Sequence, residues 1–169
     1  MNHFYRLLSA SLLLALLGCQ GPVFYRTRTY EVPSNAALWG EFSPGKLVRL
    51  KQDMFVDKDF KYGTTIDSDG IVQVGVGATE RLSMEKYKAN PKQWPQYTVI
   101  EQGTVLRCVK LEVVNQISVT TYHVLLAELR SGEHAGKIVN ISPLLHSRAN
   151  PEGLTALHPN PKYLEIIEQ

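Results

Sequence analysis

The side chains that could support catalysis or metal binding are histidines, cysteines and one acidic turn. Four histidines follow residue 18, and none lies at metal-ligand spacing from another histidine or a cysteine: His123, His134, His146 and His158. The run Asp67-Ser68-Asp69-Gly70 begins like a calcium loop but lacks the later ligands, so we interpret it as a turn. The sequence therefore predicts no metal site, no cofactor and no enzymatic activity.

Cys108 is the side chain that most resembles a nucleophile. It lies within VLRCVKLEVV, a run typical of a β-strand, where a cysteine packs as a small apolar side chain. A Cys–His pair would make the protein a cell-wall hydrolase, but no motif surrounds Cys108 and a strand position disfavours an exposed thiolate. We expect a buried strand residue, and the hydrolase is the weakest of the functional hypotheses.

Aromatic residues are better candidates for binding a ligand. Tyr87, Trp94 and Tyr97 flank the irregular stretch NPKQWPQ, and loops carry binding residues more often than core elements do. Aromatic side chains between loops form grooves that hold extended peptides. We therefore assign Tyr87, Trp94 and Tyr97 to ligand binding. The alternative is that Trp94 plugs one end of the fold and contacts no ligand.

The N-terminus has the features of a secretory signal. Residues 7–17 carry no charge, and this run of 11 residues is shorter than the ~20 that a bilayer span requires. It follows Arg6 and ends in small residues, as signal peptides do. Leu16-Leu17-Gly18-Cys19 then resembles the lipobox of bacterial lipoproteins. The resemblance implies that Cys19 receives a diacylglyceryl group, that cleavage precedes it, and that the new amine is acylated, giving a membrane anchor.

Further expectations follow from that resemblance. Gln20, where the enterobacterial sorting pattern places Asp for inner-membrane retention, suggests the outer membrane, facing the periplasm. Cleavage would leave 151 residues with 17 Lys and Arg against 16 Asp and Glu, a balance that gives no general attraction to nucleic acid. With Cys19 lipidated, Cys108 has no intramolecular disulfide partner. We divide the chain into a signal peptide (1–18), a tether (19–44), a domain (45–142) and an extended tail (143–169).

Several β-strands are predicted within the domain. The patterns predict a strand over 45–56, a hairpin around Asp69-Gly70, and two long strands over 104–114 and 117–129 joined at Asn115-Gln116. Residues 79–91 predict a short helix that Ser83 caps and Pro91 ends. A short strand over 136–141 follows, and residues 161–167 could form a last edge strand.

The predicted fold is mainly β. The order of elements resembles a small bacterial SH3-like β-barrel with one short helix, and an OB-like barrel or a small open sandwich remains an alternative. Such a domain, held by lipid in the periplasm, is expected to be a binding or scaffold module for a cell-wall peptide, a glycan or an envelope protein. The alternative is a structural accessory subunit that docks on an envelope complex through an edge strand.

Overall fold

The computed structural model describes residues 27–61, 64–68, 70–75, 78–116, 120–146 and 156–167. Within them the chain is mainly β with one short α-helix, as the sequence predicts. The strands, numbered along the chain, are β1 (Thr27–Glu31), β2 (Leu47–Leu50), β3 (Met54–Asp57), β4 (Gly70–Gly75), β5 (Ala78–Leu82), β6 (Tyr97–Ile100), β7 (Val105–Gln116), β8 (Thr120–Leu129), β9 (Ile138–Asn140) and β10 (Leu164–Ile167). Helix α1 spans Met84–Ala89, and single 3-10 turns lie at Ala37–Trp39, Pro91–Gln93 and Ser142–Leu144.

Within the described residues the strands form open sheets, so the predicted SH3-like β-barrel is not closed there. The main sheet has the order β10-β2-β7-β8-β9, and all its pairings are antiparallel. Strand β7 pairs with β8 along its length, while β2 and β1 share its other edge, one at each end. Strands β3 and β6 pair separately, as do β4 and β5.

The predicted strand over 45–56 is two strands. The chain bends at Lys51–Asp53, so β2 stays in the main sheet while β3 pairs with β6. The Asp53 carboxylate accepts a hydrogen bond of 2.8 Å from the Gln102 amide, which fixes this bend against the β6–β7 turn. Because the bend divides the strands between two sheets, the long strands do not curl into one closed barrel.

The β7–β8 hairpin is confirmed, but its turn and one of its faces differ from the prediction. Asn115 and Gln116 are paired with Thr121 and Thr120, so they belong to the strand and not to the turn. A bulge between Cys108 and Lys110 shifts the register, as an extra residue in one strand must. The positions of β7 that pack in the main core therefore change from even to odd, from Leu106 and Cys108 to Leu111 and Val113.

The predicted helix and short strands are confirmed only in part. Ser83 caps α1, whose first residue is Met84, but residues 79–82, expected to be helical, belong to β5. The turn predicted at Asp69-Gly70 is wrong at Gly70, which belongs to β4 and pairs with Leu82, while Asp69 lies outside the described residues. Strand β6 was not predicted. The edge strand within 161–167 is confirmed as β10.

Much of the predicted tether and tail is part of the folded core. Strand β1 pairs with β7, and Val32, Trp39 and Phe42 are buried in the main cluster with Leu157 and Leu164 from the tail. Isolated apolar residues among glycines and prolines carry no period from which a strand or helix could be predicted here. The described part of the domain therefore extends to residues 27–44 and 156–167. The signal peptide 1–18 and Cys19 lie outside the described residues.

Candidate functional site

The three predicted binding residues are brought together by folding. Tyr87 lies on α1, Trp94 follows the 3-10 turn after it, and Tyr97 begins β6; all three are half-buried. They pack in one group, which we call the aromatic cluster, around the buried side chains of Phe55 and Leu82. The remaining members are Met84 and Val99. The cluster is separate from the main core, and it attaches α1 to the β3–β6 sheet.

Tyr87 and Tyr97 hold the aromatic cluster together. The Phe55 ring lies 5.5 Å from the Tyr87 ring and 5.8 Å from the Tyr97 ring, both in edge-to-face geometry, which is the favourable arrangement for aromatic pairs. The Tyr87 hydroxyl donates a hydrogen bond of 3.2 Å to the Tyr97 carbonyl oxygen. Both tyrosines are thus committed to packing, which gives them a positioning role beside the site.

Helix α1 is short, so its ends and one ion pair fix its place. The Ser83 hydroxyl accepts a hydrogen bond of 3.3 Å from the Lys86 amide, as an N-cap residue does. Lys88 Nζ lies 2.5 Å from Asp53 Oδ2. The Lys88 hydrogen bond, reinforced by the Gln102 amide, lowers the pKa of Asp53 below its usual value. The carboxylate therefore stays charged and ties α1 to the β2–β3 bend.

A groove runs along one side of α1 and is lined in part by the half-buried Trp94. Its volume is about 390 Å³, which is within the range of small-molecule sites. We call it the Trp94 groove. Its lining combines one indole, two cations, two side-chain amides and two apolar side chains: Arg81, Leu82, Lys86, Ala89, Asn90, Gln93 and Trp94. No carboxylate is among these lining residues, so the groove suits a polar ligand that is neutral or negatively charged.

Two neighbouring depressions have a different character. One, of about 470 Å³, lies on the other side of α1 and includes Tyr87, but the Lys88–Asp53 ion pair and Glu101 also line it. The other, of about 80 Å³, lies between β6 and the loop after β8 and includes His134. The smaller depression has too little room for a drug-sized ligand, and the larger one is lined by two carboxylates, Asp53 and Glu101, and by no indole. The Trp94 groove is therefore the best candidate site within the described residues.

The histidines do not converge. His134 contacts the Phe60 ring at 4.8 Å and lies 3.3 Å from Thr98 Oγ1. His158 Nδ1 lies 2.8 Å from a carboxylate oxygen of Glu41, while His146 is exposed. His123 is half-buried on β8, and desolvation lowers its pKa. Among the described residues, no group of three His, Cys, Asp or Glu side chains could hold a metal ion.

Cys108 is fully buried in the main core, as the strand pattern predicts. Burial raises the pKa of its thiol to about 12. The nucleophilic form is the thiolate, so this environment suppresses its reactivity.

Sequence reasoning found Trp94 but missed the cations beside it. Arg81 comes from β5 and Lys86 from α1, and they line one groove because the chain turns at Ser83. A basic residue on each side of a helix cap was the signal that could have suggested this.

Searches against protein-family models, curated proteins and solved structures give no match. Within the described residues, no helix is long and apolar enough to span a membrane.

Proposed function

We propose that this chain is a lipid-anchored binding module of the bacterial cell envelope, with the Trp94 groove holding a cell-wall ligand. The anchor is Cys19, which places the domain on the periplasmic face of the outer membrane. The observation that carries the binding role is the combination, in one groove, of the Trp94 indole with the cations Arg81 and Lys86 and no carboxylate.

The groove's chemistry fits peptidoglycan. This polymer offers sugar rings, whose C–H faces pack on an indole, and short peptides that carry carboxylates. Guanidinium and ammonium groups bind carboxylates by charge-assisted hydrogen bonds. The side-chain amides of Asn90 and Gln93 add donors and acceptors for hydroxyl and peptide groups. Such a module needs no catalytic residue, and the burial of Cys108 argues against a Cys-dependent hydrolase.

Wall binding is tested by co-sedimentation of residues 20–169 with purified peptidoglycan sacculi. These residues include every described part of the domain. We expect saturable binding that Trp94→Ala reduces about tenfold, since removing an aromatic anchor commonly costs more than 1 kcal/mol of binding energy. Ile138→Ala is the matched control, because Ile138 is an exposed apolar residue on β9 that does not line the groove. Absence of binding, or equal binding by the Trp94 variant, would reject this function.

The anchor is tested separately, in cells. A chain processed as a lipoprotein incorporates an alkyne analogue of palmitate and is found with the outer membrane, and Cys19→Ser abolishes both. Incorporation that persists in Cys19→Ser, or none in the unaltered chain, would reject the anchor and leave the sacculus assay unaffected.

A second candidate function is that of an accessory subunit that docks through a sheet edge. Strand β1 pairs with β7 on one side, and all five of its residues are exposed. An edge strand of this kind can pair with a strand of another protein. Photo-crosslinking from Thr29 in intact cells tests this: a specific envelope protein, captured in the absence of sacculus binding, would favour this function over the first.

A further inference from the structure

We infer that the outer end of the β7–β8 hairpin, together with β1, rests on the lipid surface and directs the Trp94 groove away from the membrane. We call this region the hairpin end; its described residues are 27–30, 113–115 and 121–124. The inference rests on the proposed function only for the anchor at Cys19. The contact with lipid is argued from the composition, the exposure and the position of the hairpin end.

The hairpin end lacks acidic side chains. Residues 113–127 of the chain contain no Asp, Glu, Lys or Arg. Within the hairpin end, Arg28 is the one charged residue. The nearest acidic groups lie one row further back, where Lys110 Nζ is 3.3 Å from Glu31 and 2.8 Å from Glu112. Lys110 balances one of these two carboxylates, so the row behind the hairpin end keeps one negative charge, while the hairpin end itself carries the cation Arg28.

Aromatic side chains are exposed at the hairpin end on both faces of the sheet. Tyr30 lies opposite Val113, while Tyr122 lies opposite Val114, and adjacent strand residues point to opposite faces. Tyr30 is 49% and Tyr122 is 44% exposed. Among the described residues, Ile138, at 38%, is the other large apolar residue that is exposed. Exposed tyrosines at the same height on a protein are typical of contact with the lipid headgroups of a membrane, because an apolar ring with a polar tip is stable there. Arg28 adds attraction to anionic lipid.

The path of the chain places the hairpin end next to the anchor. Strand β1 begins at Thr27, which pairs with Gln116 at the outer end of β7. Seven residues lie between Cys19 and Thr27, so the two cannot be more than about 30 Å apart. A lipid on Cys19 would therefore keep the start of β1, and with it the hairpin end, within about 30 Å of the bilayer.

The candidate binding site lies toward the opposite end of β7. This strand has 12 residues and so extends roughly 35 Å. Its first residue, Val105, follows the β6–β7 turn, where Gln102 binds the same Asp53 that pairs with Lys88 of α1. Contact of the hairpin end with lipid therefore turns α1 and the Trp94 groove toward the periplasmic space, where the wall lies.

The test uses residues 20–169, which lack Cys19, with vesicles of phosphatidylethanolamine and phosphatidylglycerol. We expect the protein to float with the vesicles at high lipid concentration. Tyr30→Ser combined with Tyr122→Ser should reduce the bound fraction about tenfold, because two aromatic rings leave the interface. Arg28→Gln should reduce it about fivefold on these vesicles and not on neutral vesicles of phosphatidylcholine alone. Ile138→Ser is the matched control and should bind as the unaltered chain does.

Orientation is tested with an environment-sensitive fluorophore on one introduced cysteine. Cys108 is fully buried, so Tyr122→Cys and Lys92→Cys can be labelled selectively. With vesicles, the emission at position 122 should shift to shorter wavelength while that at 92 stays unchanged. No shift at 122, a shift at 92, or binding that survives loss of both tyrosines would overturn the inference. Because the chain carries no lipid, these results are independent of Cys19 modification and of sacculus binding.

Discussion

The hydroxyl of Tyr87 donates a hydrogen bond to the carbonyl oxygen of Tyr97, ten residues further along the chain. With the Phe55 ring between them, this contact seats α1 on the β3–β6 sheet. The helix has only six residues and would not persist on its own. The Trp94 groove therefore depends on tyrosines that do not line it.

Replacing Tyr87 by Phe should lower the free energy of unfolding by about 1 kcal/mol, because one part-buried hydrogen bond is lost. Tyr87→Ala should cost more, about 3 kcal/mol, since the ring contact with Phe55 is also lost. Urea denaturation measures both values. If Tyr87→Phe weakened sacculus binding without changing stability, Tyr87 would be a ligand contact and its positioning role would be wrong.

Gly40 should be intolerant of any side chain. Its φ of +54° is unfavourable for other residues, and an added Cβ would lie 2.2 Å from the Leu157 carbonyl oxygen. Gly45 also has a positive φ, +87°, but nothing lies within 4 Å of an added Cβ. We expect Gly45→Ala to cost about 1 kcal/mol and Gly40→Ala more than about 3 kcal/mol in unfolding free energy.

This pair of variants also tests the packing of the two chain ends. Gly40 lies in the segment predicted as tether, and Leu157 in the segment predicted as tail. Equal, small losses of stability in both variants would mean that these segments do not pack against each other.

Cys108 should be unreactive in the folded protein. Its thiol is buried and has a pKa of about 12, so little thiolate forms at about pH 8. Iodoacetamide should leave Cys108 unmodified in buffer and alkylate it completely in urea, as mass spectrometry of residues 20–169 will show. Rapid alkylation of the native protein would contradict the burial and reopen the question of a cysteine nucleophile.

His123 should make stability depend on pH. Desolvation lowers its pKa below the ordinary value of 6.5, so the unfolded chain binds the proton more tightly than the folded chain does. The contribution of neutral His123 to the free energy of unfolding is complete above about pH 6.5. It is lost as the pH falls through the lower pKa that His123 has in the folded chain.

In His123→Gln, the fall in unfolding free energy between about pH 7.5 and about pH 5 should be smaller than in the unaltered chain. An unchanged pH profile would show that His123 is solvated at both pH values.

The sequence predicts a strand well where one face is uninterrupted. On β8, Leu125, Ala127 and Leu129 alternate without a break and are buried together. On β7 the bulge after Cys108 changes the parity of the buried face, and no residue type announces it. Strand β6 was missed because its four residues directly follow a turn and are too short for a period to emerge.

The candidate site was predicted in part for similar reasons. The position of aromatic residues near a loop identified Tyr87, Trp94 and Tyr97, but it did not show that Trp94 alone of the three lines the groove. That distinction comes from Phe55, which is 32 residues before Tyr87 and reaches it only through the β3–β6 pairing. Trp39 and Phe42 likewise share the main cluster with Leu157, more than 100 residues away, and local patterns do not encode such a pairing.

Whether the Trp94 groove holds the ligand is decided by the sacculus affinities of Lys86→Gln and Lys92→Gln. Both substitutions remove one positive charge, but only Lys86 lines the groove, and Lys92 is exposed beside it. We predict that Lys86→Gln weakens binding about tenfold, as loss of a charge-assisted contact should, and that Lys92→Gln leaves it unchanged. Equal losses in the two variants, or no loss in either, would contradict the claim.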